Sequence, residues 1–424
     1  MNTKEMATNS STFCIMPFTH IVTKTNGEFK LCCRSTPLYS VKDMGLFDVW
    51  NSEKFKRIRK QLLNSERPKE CDSCWKLEDA NVSSMRHREN SLKCVYGDYL
   101  KLLENLNDDY SMKTNPVSLE LKLNNLCNLQ CRMCHPADST KWAKDWPLIA
   151  DLQKHNEWTY RNVKEYNLVE HPYLCEWENH PTFFDDIRKL ANGLDTVWFA
   201  GGEPLIDPMH YKILDVLAEE NNNIKLQYAT NLTKITFRKK HIMDYWRKFK
   251  GVLVGVSLDG LRDVFEYIRI HASFDSVVDN INTIRDMAEE EGLDIRLFTS
   301  CTFQIYNIFD LPEIFEFMLD NDIWIHSHRV TFPKYLSCQI IPKELKEPLT
   351  EKLQKYSDKS RYRPDLDVVV RKNLVRHIND NMNFLNGDDL SRYMPDFIKF
   401  SKLIDKSAGG KSLLDIRPEF GDYI

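Results

Sequence analysis

Two kinds of apolar pattern divide the chain. From residue 117, short apolar or alternating runs recur: VSLELKL (117–123), TVWFAGG (196–202), IKLQYATN (224–231), VLVGVSLDG (252–260), DIRLFTSCTF (294–303) and IWIHSHRV (323–330). Each has the length and β-branched content of a strand. Between them lie stretches with apolar positions three and four apart, such as MHYKILDVLAEE and FDSVVDNINTIRDMAEEE, which predict helices. Strand alternating with helix predicts βα units and a parallel sheet. Six such strands are fewer than the eight of a closed barrel, so the expectation is a partial (β/α)6 TIM-like barrel.

Before residue 117 the pattern is different. THIVTK, the turn TNGE and FKLCC predict a hairpin within residues 13–33. Residues 47–63 predict a helix with Phe55, Ile58 and Leu62 on one face. A proline break and a Cys-x-x-Cys turn follow in ERPKECDSCWKLE, and residues 80–114 predict a polar, helical connection. The segment 135–195 is long for one crossover and rich in aromatics: Trp142, Trp146, Trp158, Tyr160, Tyr173 and Trp177. Either a lid or added helical packing would suit it. After 336 the pattern is mainly helical.

Composition narrows the function classes. The 424 residues are 42% hydrophobic, enough for a sizeable core, and carry a net charge of −4 without long charge runs. The absence of a basic face argues against a nucleic-acid binder. The polar start MNTKEMATNS has no apolar core of a signal peptide, and no run approaches a membrane span. The expectation is a cytoplasmic protein with no membrane partner.

Twelve cysteines in such a chain call for a chemical reason, because a reducing compartment disfavours structural disulfides. Cys94, Cys175, Cys301 and Cys338 are scattered and read as small buried hydrophobes. The others cluster. Cys127, Cys131 and Cys134 follow the first predicted strand as Cys-x3-Cys-x2-Cys. Three thiolates on one loop can hold three corners of a cubane iron–sulfur cluster and leave the fourth iron open. Zinc, with His135 completing four ligands, is the competing reading. Cys14, Cys32 or its neighbour Cys33, Cys71 and Cys74 form a second set. Four thiolates saturate a cluster, and the same four would also suit a zinc ribbon.

The three-cysteine loop after strand one, with GGEP after strand two, resembles the radical S-adenosylmethionine (SAM) superfamily over roughly residues 115–330. Met133 stands where that family usually has an aromatic residue. The resemblance implies SAM chelating the open iron of a [4Fe-4S] cluster and reductive cleavage to a 5′-deoxyadenosyl radical. It implies SAM contacts from Met133, Gly201, Gly202, Glu203, Asn231, Ser257 and Asp259, and from Arg269 to the SAM carboxylate. Thr230, Thr302 and Gln304 lie at the same predicted strand ends, and Asp259, His326, His328 and Tyr335 are the general-base candidates.

The spacing Cys14-x12-Gly27-x4-Cys32 with Cys71-x2-Cys74 is similar to the SPASM/twitch auxiliary-cluster module, here placed before the barrel as in amino-terminal twitch radical SAM proteins. It implies an auxiliary cluster, of [4Fe-4S] type, held by Cys14, Cys32, Cys71 and Cys74, with a role in electron transfer. Neighbours on a strand face opposite ways, so Cys33 packs inward or stands spare. The expected fold is thus α/β: a twitch-like module and linker over 1–95, a core barrel over 96–335 with its insert at 135–195, and a helical region over 336–424. The expected partners are a peptide or small sugar-like substrate and a flavodoxin- or ferredoxin-type electron donor. A zinc-stabilised interaction protein without catalysis is the alternative.

Overall fold

The structure is a computed structural model that describes residues 3–80, 83–92, 99–154, 157–177 and 180–424. Eight strands define its main sheet: β1 His20–Thr23, β2 Glu28–Lys30, β3 Tyr39–Ser40, β4 Ser118–Lys122, β5 Thr196–Ala200, β6 Lys225–Thr230, β7 Gly251–Val256 and β8 Ile295–Thr299. Their order is β8-β7-β6-β5-β4-β1-β2-β3. All six expected βα strands are present. The fifth candidate breaks at Ser300 into β8 and Cys301–Phe303, and the sixth, Ser327–Arg329, pairs in parallel with Cys301–Phe303. This is the expected α/β architecture, and among the described residues no helix is long and apolar enough to cross a membrane.

The chain forms two compact units: Met1–Asn124 with Cys175–Gln227 and Asp244–Val252, and Asn125–Leu174 with Tyr228–Met243 and Leu253–Ile424. In the first unit, the hairpin adds its strands to the edge of the βα sheet. Strand β1 pairs in parallel with β4 (His20 opposite Ser118) and antiparallel with β2 (Val22 opposite Lys30). Strand β4 pairs in parallel with β5. The turn between β1 and β2 needs Gly27, which has φ +78° and whose added Cβ would meet Val41 Cγ1 at 2.7 Å. Beneath it Phe29 packs edge-on against Trp177, ring centroids 5.0 Å apart, and the Trp177 indole donates to the Lys24 carbonyl at 2.8 Å. The expected helix at 47–63 is Leu46–Val49 followed by Glu53–Leu63, which buries Phe55, Ile58 and Leu62 as its spacing predicts.

The second unit holds the cysteine loop at 127–134 and the carboxy-terminal helices. Lys343–Ser360 packs on Val368–Leu385, and Met394–Ala408 buries Phe397, Phe400 and Ile404. Trp142 stacks on Phe400 with centroids 6.3 Å apart. Trp142, Trp146 and Trp177 are all buried, so these aromatics of the 135–195 segment are core packing. Tyr173 is exposed, and the Trp158 side chain lies outside what is described.

Candidate cluster sites

The loop that carries the three cysteines is short of regular structure, so side chains satisfy its backbone. Asn125 donates to the carbonyls of Pro136 (2.7 Å) and Pro172 (2.6 Å) and accepts from the Leu174 amide at 2.7 Å. Ser139 donates to the Leu129 carbonyl at 2.6 Å, and the Trp142 indole donates to the Cys131 carbonyl at 2.9 Å. Gln130–Cys131 forms a two-residue antiparallel ladder with Arg269–Ile270, which sets Arg269 opposite Cys131. Cys127, Leu129 and Cys131 then form one buried cluster, with Met133, Cys134 and Ala272 packed against it.

The thiols have directed partners. Arg269 Nη1 donates to Cys131 Sγ at 3.5 Å, the Leu129 amide to Cys127 Sγ at 3.5 Å, and Asn231 Nδ2 to Cys127 Sγ at 3.8 Å. A hydrogen bond from Cys134, with the Arg269 guanidinium close by, holds the Cys131 thiol below its ordinary range. His135 lies beside the loop with Nε2 3.1 Å from Asp138 Oδ2. A cavity of about 330 Å3 opens at this loop, lined in part by Met133, Cys134, Gln153 and Phe332.

Several residues expected at SAM are placed in detail. Arg269 is buried and forms an ion pair with Asp259, Nη2 to Oδ2 2.5 Å. Asp259 is fully buried and its Oδ1 accepts the Thr302 amide at 2.6 Å. Asn231 donates to Asn128 Oδ1 at 3.1 Å as well as to Cys127. Ser257, half-buried, donates its amide to the Thr230 carbonyl at 2.9 Å. Gln304 is fully buried, and neither atom of its side-chain amide has a hydrogen-bond partner. Of the general-base candidates, Asp259 is held by Arg269. Tyr335 accepts from Gln153 Nε2 at 2.5 Å, and burial drives its phenol well up. The ring of His326 meets that of His328 at 4.6 Å.

In the first unit, Gly201 has φ +115°, and an added Cβ would lie 2.9 Å from the Asn124 carbonyl oxygen. The Gly202 amide donates to that oxygen at 2.9 Å. Glu203, 2% exposed, accepts the Leu205 amide at 2.9 Å and so caps the turn Pro204–Ile206. GGEP is thus a tight, built turn at the end of β5.

The first unit also gathers the amino-terminal thiols. Cys71 ends a short 3-10 turn, and Cys74 lies on the helix Asp72–Asp79. Ser73 donates to the Arg34 carbonyl at 3.0 Å, tying that helix to the end of the hairpin. Burial, reinforced by Cys32, Cys71 and Cys74, pushes the Cys14 thiol well up. Burial likewise pushes Cys32 up to about 11, and raises Cys71 with help from Cys32 and Cys74. Cys14 thus feels Cys32, Cys71 and Cys74, and Cys71 feels Cys32 and Cys74, while the strongest thiol influence on Cys32 is Cys33. Cys33 is exposed; its Sγ lies 3.5 Å from Met85 Sδ and its charged neighbours are Glu120, Lys122, Arg34 and Lys30.

Two supports of this site had no signal in the sequence. Arg86 pairs with Glu78 at 2.6 Å and donates to the Phe13 carbonyl at 2.9 Å, while Asn90 donates to the same carbonyl at 2.8 Å. Both fix the backbone beside Cys14. The eleven cysteines among the described residues carry free thiols; Cys94 lies outside them. Among the described residues no three of His, Cys, Asp and Glu are arranged as ligands of a single metal ion. Both thiol sets instead offer sulfur-only donors, which fit iron–sulfur chemistry.

Comparison with protein families decides the matter. A model described as the radical SAM superfamily matches residues 121–317, and one described as an iron–sulfur cluster-binding domain, SPASM, matches residues 14–75. The chain carries a radical SAM domain and a SPASM domain. This radical SAM protein is of the SPASM type. These two domains imply a [4Fe-4S] cluster, SAM and an auxiliary iron–sulfur cluster as its cofactors. No curated protein matches it. Among solved structures it is similar to native anSMEcpe with bound AdoMet and Cp18Cys peptide, at 13% identity and a TM-score of 0.35, covering 57% of this chain and 59% of that one. It is also similar to Streptococcus suis SuiB bound to S-adenosylmethionine, at 17% identity and a TM-score of 0.33, covering 72% and 59%. The radical SAM chain therefore spans about three fifths of the length of these structures.

Proposed function

We propose that Cys127, Cys131 and Cys134 hold the SAM-binding cluster and that Cys14, Cys32, Cys71 and Cys74 hold the auxiliary one, in an enzyme that oxidises a peptide side chain or a small sugar-like metabolite. The observation that carries this is the gathering of two separate all-thiol sets: three on one loop whose backbone is held by side-chain hydrogen bonds, and four drawn from the Cys14 segment, the hairpin end and the Cys71–Cys74 turn and helix. When bound, the first cluster and SAM supply a 5′-deoxyadenosyl radical that abstracts hydrogen, and the auxiliary cluster supplies an electron acceptor.

The protein's own residues do the rest. The Cys127–Cys134 loop presents three ligands and no fourth. The Gly201–Gly202 turn would offer its backbone to the SAM amino group, and Glu203 keeps that turn in shape. Met133 would lend a polarizable apolar surface to the adenine. Net oxidation requires a low-potential donor for the first electron, of the flavodoxin or ferredoxin kind.

The test is anaerobic reconstitution of the full chain. Brown protein with roughly eight irons is expected. Replacing Cys127, Cys131 and Cys134 by Ala should abolish 5′-deoxyadenosine formation, while replacing Cys71 and Cys74 should spare SAM cleavage and abolish product. Colourless, zinc-bound protein, or 5′-deoxyadenosine formed at the wild-type rate by the triple variant, would sink the reading.

A further inference from the structure

Arg269 and Asp259 form a buried ion pair whose other end is a thiol. Arg269 is 8% exposed and Asp259 is 0% exposed. The guanidinium spans the carboxylate at 2.5 Å and Cys131 Sγ at 3.5 Å. The ladder Arg269–Cys131 fixes one side of this relay, and the far side is anchored twice. The Thr302 amide donates to Asp259 Oδ1 at 2.6 Å, and Asn307 donates to the Asp259 carbonyl at 2.7 Å. Stability alone does not account for it. A buried ion pair contributes little beyond an apolar pair of equal volume, because desolvation offsets the attraction. What an apolar pair cannot do is donate a charged hydrogen bond to sulfur.

We propose that Arg269 is a positioning residue that sets the reduction potential of the cluster on Cys127, Cys131 and Cys134 by donating to the Cys131 sulfur, with Asp259 fixing the guanidinium and trimming its charge. The inference rests on the assignment of those cysteines as ligands. Hydrogen bonds to cluster sulfurs favour the more negative, reduced form and are among the levers that set iron–sulfur potentials. Charged donors act more strongly than neutral ones. The one electron comes from an external low-potential donor, and no bond is made or broken in this step. Both terminal nitrogens of the guanidinium are engaged, Nη2 by Asp259 and Nη1 by Cys131, while Nε is buried without a hydrogen-bond partner.

The two partners predict opposite signs, which a merely structural role does not. The experiment is a dithionite titration of the reconstituted full chain, followed by electron paramagnetic resonance without SAM. The relevant signal is then identified as the one that changes when SAM is added. Arg269→Gln removes the donor and leaves a carboxylate; its one-electron equilibrium should shift at least tenfold against reduction, about 59 mV. Asp259→Asn leaves the guanidinium uncompensated and should shift the equilibrium towards reduction. Arg269→Lys keeps the charge and loses the planar fork, and should fall between wild type and Arg269→Gln. If Arg269→Gln takes up no iron, the Lys and Asn variants decide by sign. Unmoved potentials, or shifts of the same sign, overturn the proposal. A wild-type protein with no signal responding to SAM would instead show that the ligand assignment itself has failed.

Discussion

Cys32 and Cys33 are adjacent in sequence and belong to different surroundings. The Cys32 thiol is electrostatically coupled first to its neighbour Cys33 and then to Cys74, and Cys14 and Cys71 are in turn coupled to Cys32. The Cys33 thiol lies against Met85 and faces Glu120 and Lys122. The divergence arises past the end of the strand Glu28–Lys30, where Cys32 and Cys33 lie in a bend and turn closed by the Ser35 amide on the Cys32 carbonyl at 3.2 Å, not in the extended strand that the sequence predicts.

Substitution should separate the two cysteines. Cys33→Ser should keep the full iron content and visible spectrum of the reconstituted protein. Cys32→Ser should lose about half the iron, the share of one of two [4Fe-4S] centres. The reverse pattern would move the ligand to Cys33.

Glu120 makes a prediction in pH. Burial works to raise its carboxyl pKa, but Lys122, with Nζ 2.9 Å from Oε1, and His20 outweigh it and hold the value down to about 2. A depressed carboxylate contributes stability that is fully present above its unfolded pKa near 4.5 and lost as pH falls through the folded value near 2. The shift corresponds to about 3 kcal/mol. Urea denaturation of Glu120→Gln should therefore show a smaller loss of stability than wild type between pH 4.5 and 2. Equal pH slopes would show that the Lys122 and His20 contacts do not act on Glu120.

Gly201 makes a prediction in backbone strain. Its φ of +115° and the 2.9 Å approach of Asn124 oxygen leave no place for a methyl group. Gly201→Ala should cost about 1–3 kcal/mol in thermal or urea unfolding and weaken SAM binding in calorimetry. Wild-type SAM affinity in a folded variant would remove this turn from the SAM site.

Arg59 is a buried cation that serves the amino-terminal module. It is 0% exposed, lies 4.4 Å above the Trp50 ring, and donates to the carbonyls of Pro17 (2.8 Å), Trp50 (2.8 Å) and Tyr110 (3.2 Å) and to Asn51 (3.0 Å). Arg59→Met keeps the length and strands those acceptors, so unfolding stability should fall by about 3 kcal/mol or more. A change within about 0.5 kcal/mol would show that water replaces the guanidinium.

How far the sequence carried can be followed along particular residues. Period-2 and period-3.6 patterns placed the six βα strands and the helices at 208–220 and 274–290, because those elements bury one face and the spacing of apolar residues records it. Arg59 escaped the same rule, since a charged residue on the apolar face of 53–63 has no place in a hydrophobic pattern.

The cysteine sets were legible by themselves: ligand chemistry restricts both residue type and local spacing, so Cys127-x3-Cys131-x2-Cys134 and Cys71-x2-Cys74 stand out in one dimension. What surrounds them was not. Arg86 and Asn90 beside Cys14, Trp142 on the Cys131 carbonyl, and Arg269 between Asp259 and Cys131 come from distant parts of the chain. The sequence determined which thiols are spaced as candidate cluster ligands. Only the tertiary structure decided which charges and donors face those thiols, because that depends on strand register and buried ion pairing, and neither leaves a periodic trace in the order of residues.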